Sequence, residues 1–267
     1  MIGAAPAKIN LALVVGPRRD NGKHELVTVF QRIDLVDRIT IEPASSTAIE
    51  GFPADTIVRR ALAALRAPHG WRVRIDKHVP VAAGLGGGSS DAATALRLAN
   101  AQLDDPLEPA ELHEVAATLG ADVPFFLYAG PQLGTGDGSI LEPIDLPQDF
   151  AVVVVLPNDV QKLSTASVYA AFDERAGAVG YDERAAQLRE TVSAVQRPTD
   201  LAALPSNDLA SSPLEAELRS TGAFRAGVSG AGPAVYGLFE QRADADAAAR
   251  SLRRFGAVWS TIPAWYC

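Results

Sequence analysis

Apolar and polar residues alternate from Ala7 to Val15, which predicts a strand with Ile9, Leu11, Leu13 and Val15 on one face and Lys8 and Asn10 on the other. Asp20-Asn21-Gly22 predicts a turn, followed by a largely apolar strand from Leu26 to Leu35 and an alternating one from Arg38 to Glu42. Asp55 or Thr56 is placed to cap a helix that buries Ile57, Val58, Ala61, Leu62 and Leu65. Arg72 to Asp76 alternates again, with Val73 and Ile75 inward, and Pro80 ends the pattern. Past the glycines at 84–88, helices are predicted over Ser89 to Asn100 and over Pro109 to Leu119, the second closed by Gly120. The glycine-rich stretch Gly130 to Gly138 reads as loose chain, and Pro143 and Pro147 mark a boundary near residues 143 to 150.

Beyond that boundary a buried-type strand, Ala151 to Leu156, is followed by helical segments around Thr165 to Asp173, Glu183 to Gln196 and Leu214 to Ser220. Strand Val235 to Phe239, helix Ala243 to Arg254 and strand Val258 to Thr261 complete the chain, which has no internal repeat. Strands and helices without regular alternation favour α+β, with an N-terminal domain over 1–147 and a C-terminal one over 148–267.

Composition narrows the function. The 267 residues are 48% hydrophobic and 21% charged, ordinary values for a globular chain, so disorder is excluded for the chain as a whole. A formal net charge of −8, with basic residues scattered among acidic ones, argues against nucleic acid and anionic membrane as partners. The longest apolar run, Phe150 to Leu156, is too short to span a membrane, and Met1 to Ala7 lacks the positive start of a signal peptide. The single cysteine, Cys267, allows neither an intrachain disulfide nor a cysteine metal site and fits a reducing, cytoplasmic setting. A phosphate ligand would have to be held by local geometry.

Such geometry is offered by Pro80-Val81-Ala82-Ala83-Gly84-Leu85-Gly86-Gly87-Gly88-Ser89-Ser90, just before a helix. Glycines permit the positive-φ turns of an amide nest, the helix adds the positive end of its dipole, and Ser89 and Ser90 add hydroxyls. The spacing fits neither a Walker A loop, which needs Lys then Ser or Thr after its last glycine, nor the dinucleotide fingerprint, which needs Gly or Ala where Ser89 stands. The plainer alternative is a tight turn. A second glycine run, 227–233, reads on its own as a turn. Lys8, inside an apolar strand, needs a carboxylate or a ligand anion unless it snorkels to water. Asp122, from spacing alone, reads as the cap of a short helix through Leu127.

Taken in order, Ala7-Lys8-Ile9-Asn10-Leu11, Gly22-Lys23-His24-Glu25-Leu26, the loop 80–90, Gly120-Ala121-Asp122-Val123-Pro124 and Val228-Ser229-Gly230-Ala231-Gly232 resemble the GHMP kinase superfamily over nearly the whole chain. The resemblance implies two α+β domains with the active site in the cleft between them, and ATP with its Mg2+ as phosphoryl donor over residues 80–90. It implies Lys8 and Asp122 as the catalytic pair. No carboxylate cluster for a metal is visible, and Ser90 is a candidate ligand. The Lys-Ile-Asn, Gly-x-His and Gly-Ala-Asp-Val-Pro elements are similar to the members that phosphorylate the 2-hydroxyl of a cytidine-diphosphate-linked methylerythritol on the way to isoprenoid precursors. That similarity implies Asn10, His24 and Tyr169 as substrate-binding residues, with Lys23 beside them. Three positions depart from the pattern: Lys23 replaces an aromatic, Thr56 an Asn, and Ala210 an acidic residue. Lys23 leaves room for a GHMP kinase of mevalonate or homoserine type, and a regulatory pseudokinase is the alternative outside the enzymes.

Overall fold

Two long strands organise the molecule. In the computed structural model, which describes residues 1–52, 56–158 and 163–266, β1 (Ile2–Arg18) and β2 (His24–Ala44) pair antiparallel around the Asp20-Asn21-Gly22 turn. The two strands expected between Leu26 and Glu42 are one. Asp37, which interrupts the apolar pattern, stays in the strand because its buried carboxylate accepts the amide N–H groups of His78 and Val79. β2 is long enough to serve two partners: β4 (Gly70–Asp76) pairs with its second half and β5 (Gln132–Gly136) with its first. Short outer strands, β3 (Ala48–Glu50) parallel to β4 and β6 (Ile140–Pro143) antiparallel to β5, bring the sheet to six.

Three helices cover this sheet: α1 (Thr56–Ala64), α2 (Gly87–Asn100) and α3 (Pro109–Leu119). Their apolar faces, with Val58, Leu62, Ala92, Leu96 and Leu112, meet Ile39, Ile41, Trp71, Val73 and Ile75 of the strands in one core cluster. The chain leaves the first sheet at Pro143 and enters a second, four-stranded antiparallel sheet ordered β10 (Gly256–Thr261), β7 (Ala151–Pro157), β9 (Val235–Phe239), β8 (Arg225–Val228). Strand β7 is buried on both faces. Val153 and Val155 pack with α6 (Leu214–Ser220) and α7 (Arg242–Leu252), while Val152 and Val154 face the first sheet. That inner cluster joins Ile9, Leu11 and Val14 of β1, Val27 and Val29 of β2, Tyr236 and Leu238 of β9, and Leu188 of α5 (Tyr181–Ala194). The remaining helix, α4 (Thr165–Glu174), packs Val168 and Phe172 on Leu13, Val15 and Leu26.

Two further expectations are corrected. The stretch from Gly130 to Gly138 is no loose chain but contains β5 and its turn into β6. Its glycines hid the strand from the pattern, and Gly134 is there for space: a Cβ would sit 2.6 Å from the Phe30 ring. Leu13 and Val15 do not share a face with Ile9 and Leu11. The register slips between Asn10 and Ala12, so Leu11 has no partner in β2; Ala12 and Val14 continue the inner core while Leu13 and Val15 turn to α4. The Asp55 cap, the Thr56 side chain and Cys267 lie outside the described residues.

Candidate active site

That bulge sets the site. It places Lys8, Asn10 and Leu13 on one wall of a cavity of about 820 Å³, with Thr28 and Phe30 of β2 beside them and Tyr169 of α4 among its other lining residues. Lys8, 3% exposed, donates from Nζ to Asn10 Oδ1 at 2.6 Å and lies 3.4 Å from Asp122 Oδ2. A buried ammonium without such partners would cost several kcal/mol. Asn10 in turn donates from Nδ2 to Thr28 Oγ1 at 2.8 Å, and Thr28 donates to the Ala12 carbonyl at 2.7 Å. The Asn10 amide plane is therefore fixed at both ends, with its oxygen toward the ammonium.

Asp122 does not cap the short helix. The 3-10 turn Pro124–Leu127 begins after Val123 with no side-chain cap, and Asp122 reaches the cavity instead, its side chain 37% exposed. The glycine loop adjoins Lys8, whose backbone N–H donates to Leu85 O at 2.9 Å, and Ala82, Gly84, Gly86 and Ser89 line the cavity there. Gly84 and Gly86 carry positive φ values of 84° and 70°, whereas Gly87 and Gly88 already belong to α2. The first bond of the helix runs from Ser90 N–H to Gly86 O, which leaves the preceding amides at the positive end of α2 clear of its ladder. Other members of the loop serve as structure. Ala83 and Leu85 are in the inner core, Val81 is exposed, Pro80 is half-buried, and Ser90 is fully buried with its Oγ unpartnered.

Below the loop, Lys77 Nζ bridges Asp37 at 2.5 Å and Asp91 at 2.6 Å, tying β2 to the first turns of α2. Burial pushes the Asp91 carboxyl up to about 8, against the pull of the Lys77 charge. Lys77 is itself held above the usual lysine value: burial works against its charge, but Asp91 and Asp37 outweigh it.

The far end of the cavity holds the remaining expected residues. His24 Nε2 lies 2.8 Å from Asp173 Oδ1, and its ring stacks on Tyr169 with centroids 4.7 Å apart. Tyr169 stands on α4, whose start is capped by Ser164 accepting from Ser167 N–H. Burial, with Asp122 and Asp137 nearby, raises the Tyr169 phenol to about 12, so it presents a neutral hydroxyl. Lys23 Nζ is ion-paired with Asp137 in the β5–β6 turn. Burial opposes the Asp137 charge, yet the bonds from Lys23 and Ser139 hold its carboxyl below the usual value.

Pattern alone did not single out Asn207, Ser229, Thr28, Asp137 or Asp173. Asn207 donates from Nδ2 to the carbonyls of Val228 and Gly230, and Ser229 Oγ donates to Gly84 O at 2.9 Å while accepting from the backbone N–H of Asn10. The second glycine run, read in isolation as a turn, is thus clamped between the first loop and β1. Gly84 needs to be bare at this crossing, since a Cβ would lie 2.1 Å from Ser229 O. Ala210, where an acidic residue was expected, packs against two apolar clusters.

Comparison with known proteins agrees with this geometry. Residues 56–130 match the model of the GHMP kinases N terminal domain and residues 210–258 that of the GHMP kinases C terminal. A 4-diphosphocytidyl-2-C-methyl-D-erythritol kinase of Chlorobium phaeobacteroides (strain BS1) is 36% identical, over 96% of this chain and 95% of its own. One of Kineococcus radiotolerans (strain ATCC BAA-149 / DSM 14245 / SRS30216) is 40% identical, over 93% and 83%. The chain belongs to the 4-diphosphocytidyl-2-C-methyl-D-erythritol kinase family. A solved 4-(cytidine 5'-diphospho)-2C-methyl-D-erythritol kinase superposes with a TM-score of 0.78 at 32% identity, covering 99% of this chain and 100% of that one. A mevalonate kinase structure superposes with a TM-score of 0.71 at 14% identity and shares the fold. The α+β GHMP kinase architecture expected from sequence is therefore that of the 4-diphosphocytidyl-2-C-methyl-D-erythritol kinase family.

Proposed function

We infer that the protein is an ATP-dependent kinase that phosphorylates the 2-hydroxyl of 4-diphosphocytidyl-2-C-methyl-D-erythritol, in the methylerythritol phosphate route to isoprenoid precursors. The observation that carries the chemistry is the Lys8–Asp122 pair, 3.4 Å apart in a cavity that a positive-φ glycine loop at a helix N-terminus also lines. A carboxylate in that position accepts the proton as the substrate O–H bond breaks and the new O–P bond forms, while the bond between the β- and γ-phosphates breaks and ADP leaves. The Lys8 ammonium, aimed by Asn10, offsets the charge that develops on the transferring group.

Residues 80–90 are proposed as the ATP phosphate site, with Gly84, Gly86 and Ser89 presenting amides and a hydroxyl to the cavity. Mg2+ is proposed to accompany the nucleotide. Among the described residues no group of three His, Cys, Asp or Glu side chains could hold a metal ion; Ser89 on the cavity wall and the unpartnered Ser90 hydroxyl are the candidate side-chain ligands. When bound, the ion would neutralise phosphate charge. His24 and Tyr169, with Asn10, are proposed to receive the cytidine diphosphate substrate, and Lys23 to flank it. The two lobes are proposed to divide at 147/148, with the cleft between them. A cytoplasmic setting is part of the reading; no helix among the described residues is long and apolar enough to cross a membrane.

The test is ATP consumption with 4-diphosphocytidyl-2-C-methyl-D-erythritol beside mevalonate and homoserine. Turnover only with the cytidine compound is expected. Preference for an alcohol without cytidine would move the substrate, and no turnover with any would point to a pseudokinase.

A further inference from the structure

We propose that Arg225, assisted by Tyr236, is a positioning residue for phosphoryl transfer: it holds the β1 bulge that aims Lys8 and Asn10 into the cavity. Arg225 lies on β8, in the second sheet, and is 7% exposed. Its guanidinium forms no ion pair among the described residues. Instead Nε and Nη2 donate to the Leu11 carbonyl at 3.1 and 2.5 Å, Nη1 to the carbonyls of Leu201 and Leu204 at 3.0 and 2.7 Å, and Nη2 to that of Pro205 at 2.8 Å. The Tyr236 hydroxyl adds a third donor to Leu11 O, at 3.1 Å.

Leu11 is the one residue of this part of β1 that the register leaves without a β2 partner. A bulge carbonyl turned out of the ladder and buried must find donors elsewhere, and here it finds three, all from the other sheet. The bulge is what reverses the facing of β1. Ile9 and Leu11 stay with Ala12 and Val14 in the inner core, while Lys8 and Asn10 share the cavity wall with Leu13. If the strand relaxed to regular pairing, either Lys8 and Asn10 or the residues after them would turn to the wrong side. A lone buried cation satisfied by carbonyl dipoles is a costly way to fill space, and an aliphatic side chain would serve packing alone better. The donors are explained by the carbonyls they fix.

The proposal rests on the inferred role of Lys8, and its test keeps the two apart. Arg225→Lys retains charge but loses the fork; Tyr236→Phe removes a single donor and is the milder variant should the first fold poorly. Wild type, both variants, Lys8→Met and Lys8→Met/Arg225→Lys are assayed by single turnover with ATP and the cytidine substrate, and hydrogen exchange is followed over residues 8–13. In Arg225→Lys, kcat is expected to fall on the order of 10²-fold, the loss a displacement of about 1 Å can produce, with KM for ATP nearly unchanged. Tyr236→Phe should show a smaller loss in the same direction. Exchange over 8–13 should rise relative to the rest of β1, and the Arg225 effect should vanish in the Lys8→Met background. Unchanged exchange over 8–13, or a kcat loss that simply adds to that of Lys8→Met, would overturn the proposal and leave Arg225 as a stabilising staple. Absence of wild-type turnover would instead remove the assigned substrate, with the exchange result still deciding whether Arg225 holds the bulge.

Discussion

Asp122 has the Lys8 ammonium as its charged neighbour, an open side toward the cavity and no capping bond to the short helix, and its proposed role as proton acceptor rests on that arrangement. Asp122→Asn keeps the size and removes the base, so kcat should drop by about 10²–10⁴-fold with ATP affinity preserved, measured by steady-state kinetics and nucleotide titration. Lys23 is the other informative side chain. Its pair with Asp137 is more than half exposed on the lysine side, and such pairs contribute about 0–1 kcal/mol, so Lys23→Tyr should fold normally. If the new ring lies against the cytosine, the substrate Kd should tighten, since base stacking is worth roughly 1–3 kcal/mol; a weaker, less salt-dependent Kd would instead mean that Lys23 meets the substrate diphosphate. At this scale it was the family resemblance, more than any single side chain, that drew attention to Lys8, Asn10, His24 and Tyr169, and the structure lines one cavity with all four. Asp173 and Asp137 were not legible, because a lone exposed-type carboxylate becomes meaningful only through the His24 or Lys23 it meets.

Among elements, the glycine loop makes the sharpest distinction. Gly84→Ala meets both a φ of 84° and a carbonyl oxygen 2.1 Å from the new Cβ, so the variant should be strongly destabilised. Gly88→Ala, helical and with ordinary contact at 3.7 Å to Ile57, should be stabilised by about 0.4–1 kcal/mol; urea melts compare the two. Beneath the loop, Asp91 gives a pH dependence of definite sign. Its folded value of about 8 lies above the ordinary 3.8, so folding takes up a proton between these limits and stability falls as pH rises through that window. Lys77, raised above 10.5, contributes the same amount throughout that window and is lost only above it. The urea midpoint should therefore decline from pH 6 to pH 8.5, and Asp91→Asn should flatten the decline. The periodic helix α3, punctuated by Pro109 and Gly120, and the short apolar strand β9 were visible in the pattern to the residue. The β5–β6 hairpin and the β1 bulge were not, since Gly134 answers to the Phe30 ring and Leu11 to donors more than 200 positions away.

For the molecule as a whole, the inner cluster belongs to both sheets at once: β1 and β2 bury their side chains against β7 and β9. Neither sheet keeps a complete core without the other. Calorimetric and van't Hoff enthalpies should therefore agree, and far- and near-ultraviolet melts should coincide, in contrast to the two transitions of independent domains. The α+β class was readable from the order of elements, and the family from five short motifs in sequence order. The interleaving was not readable, because a valine run such as 152–155 does not say which sheet each side chain will face.

Leu11 and Tyr236, joined by a hydrogen bond, stand 225 positions apart. A ribosome therefore delivers the first strand long before the strand that covers it. At the usual 5–20 residues per second, the apolar face of Ile9, Leu11 and Val14 waits roughly 10–45 s for its cover. A product truncated before β9 would leave that face of the amino-terminal hairpin uncovered and the Leu11 carbonyl without its Tyr236 donor.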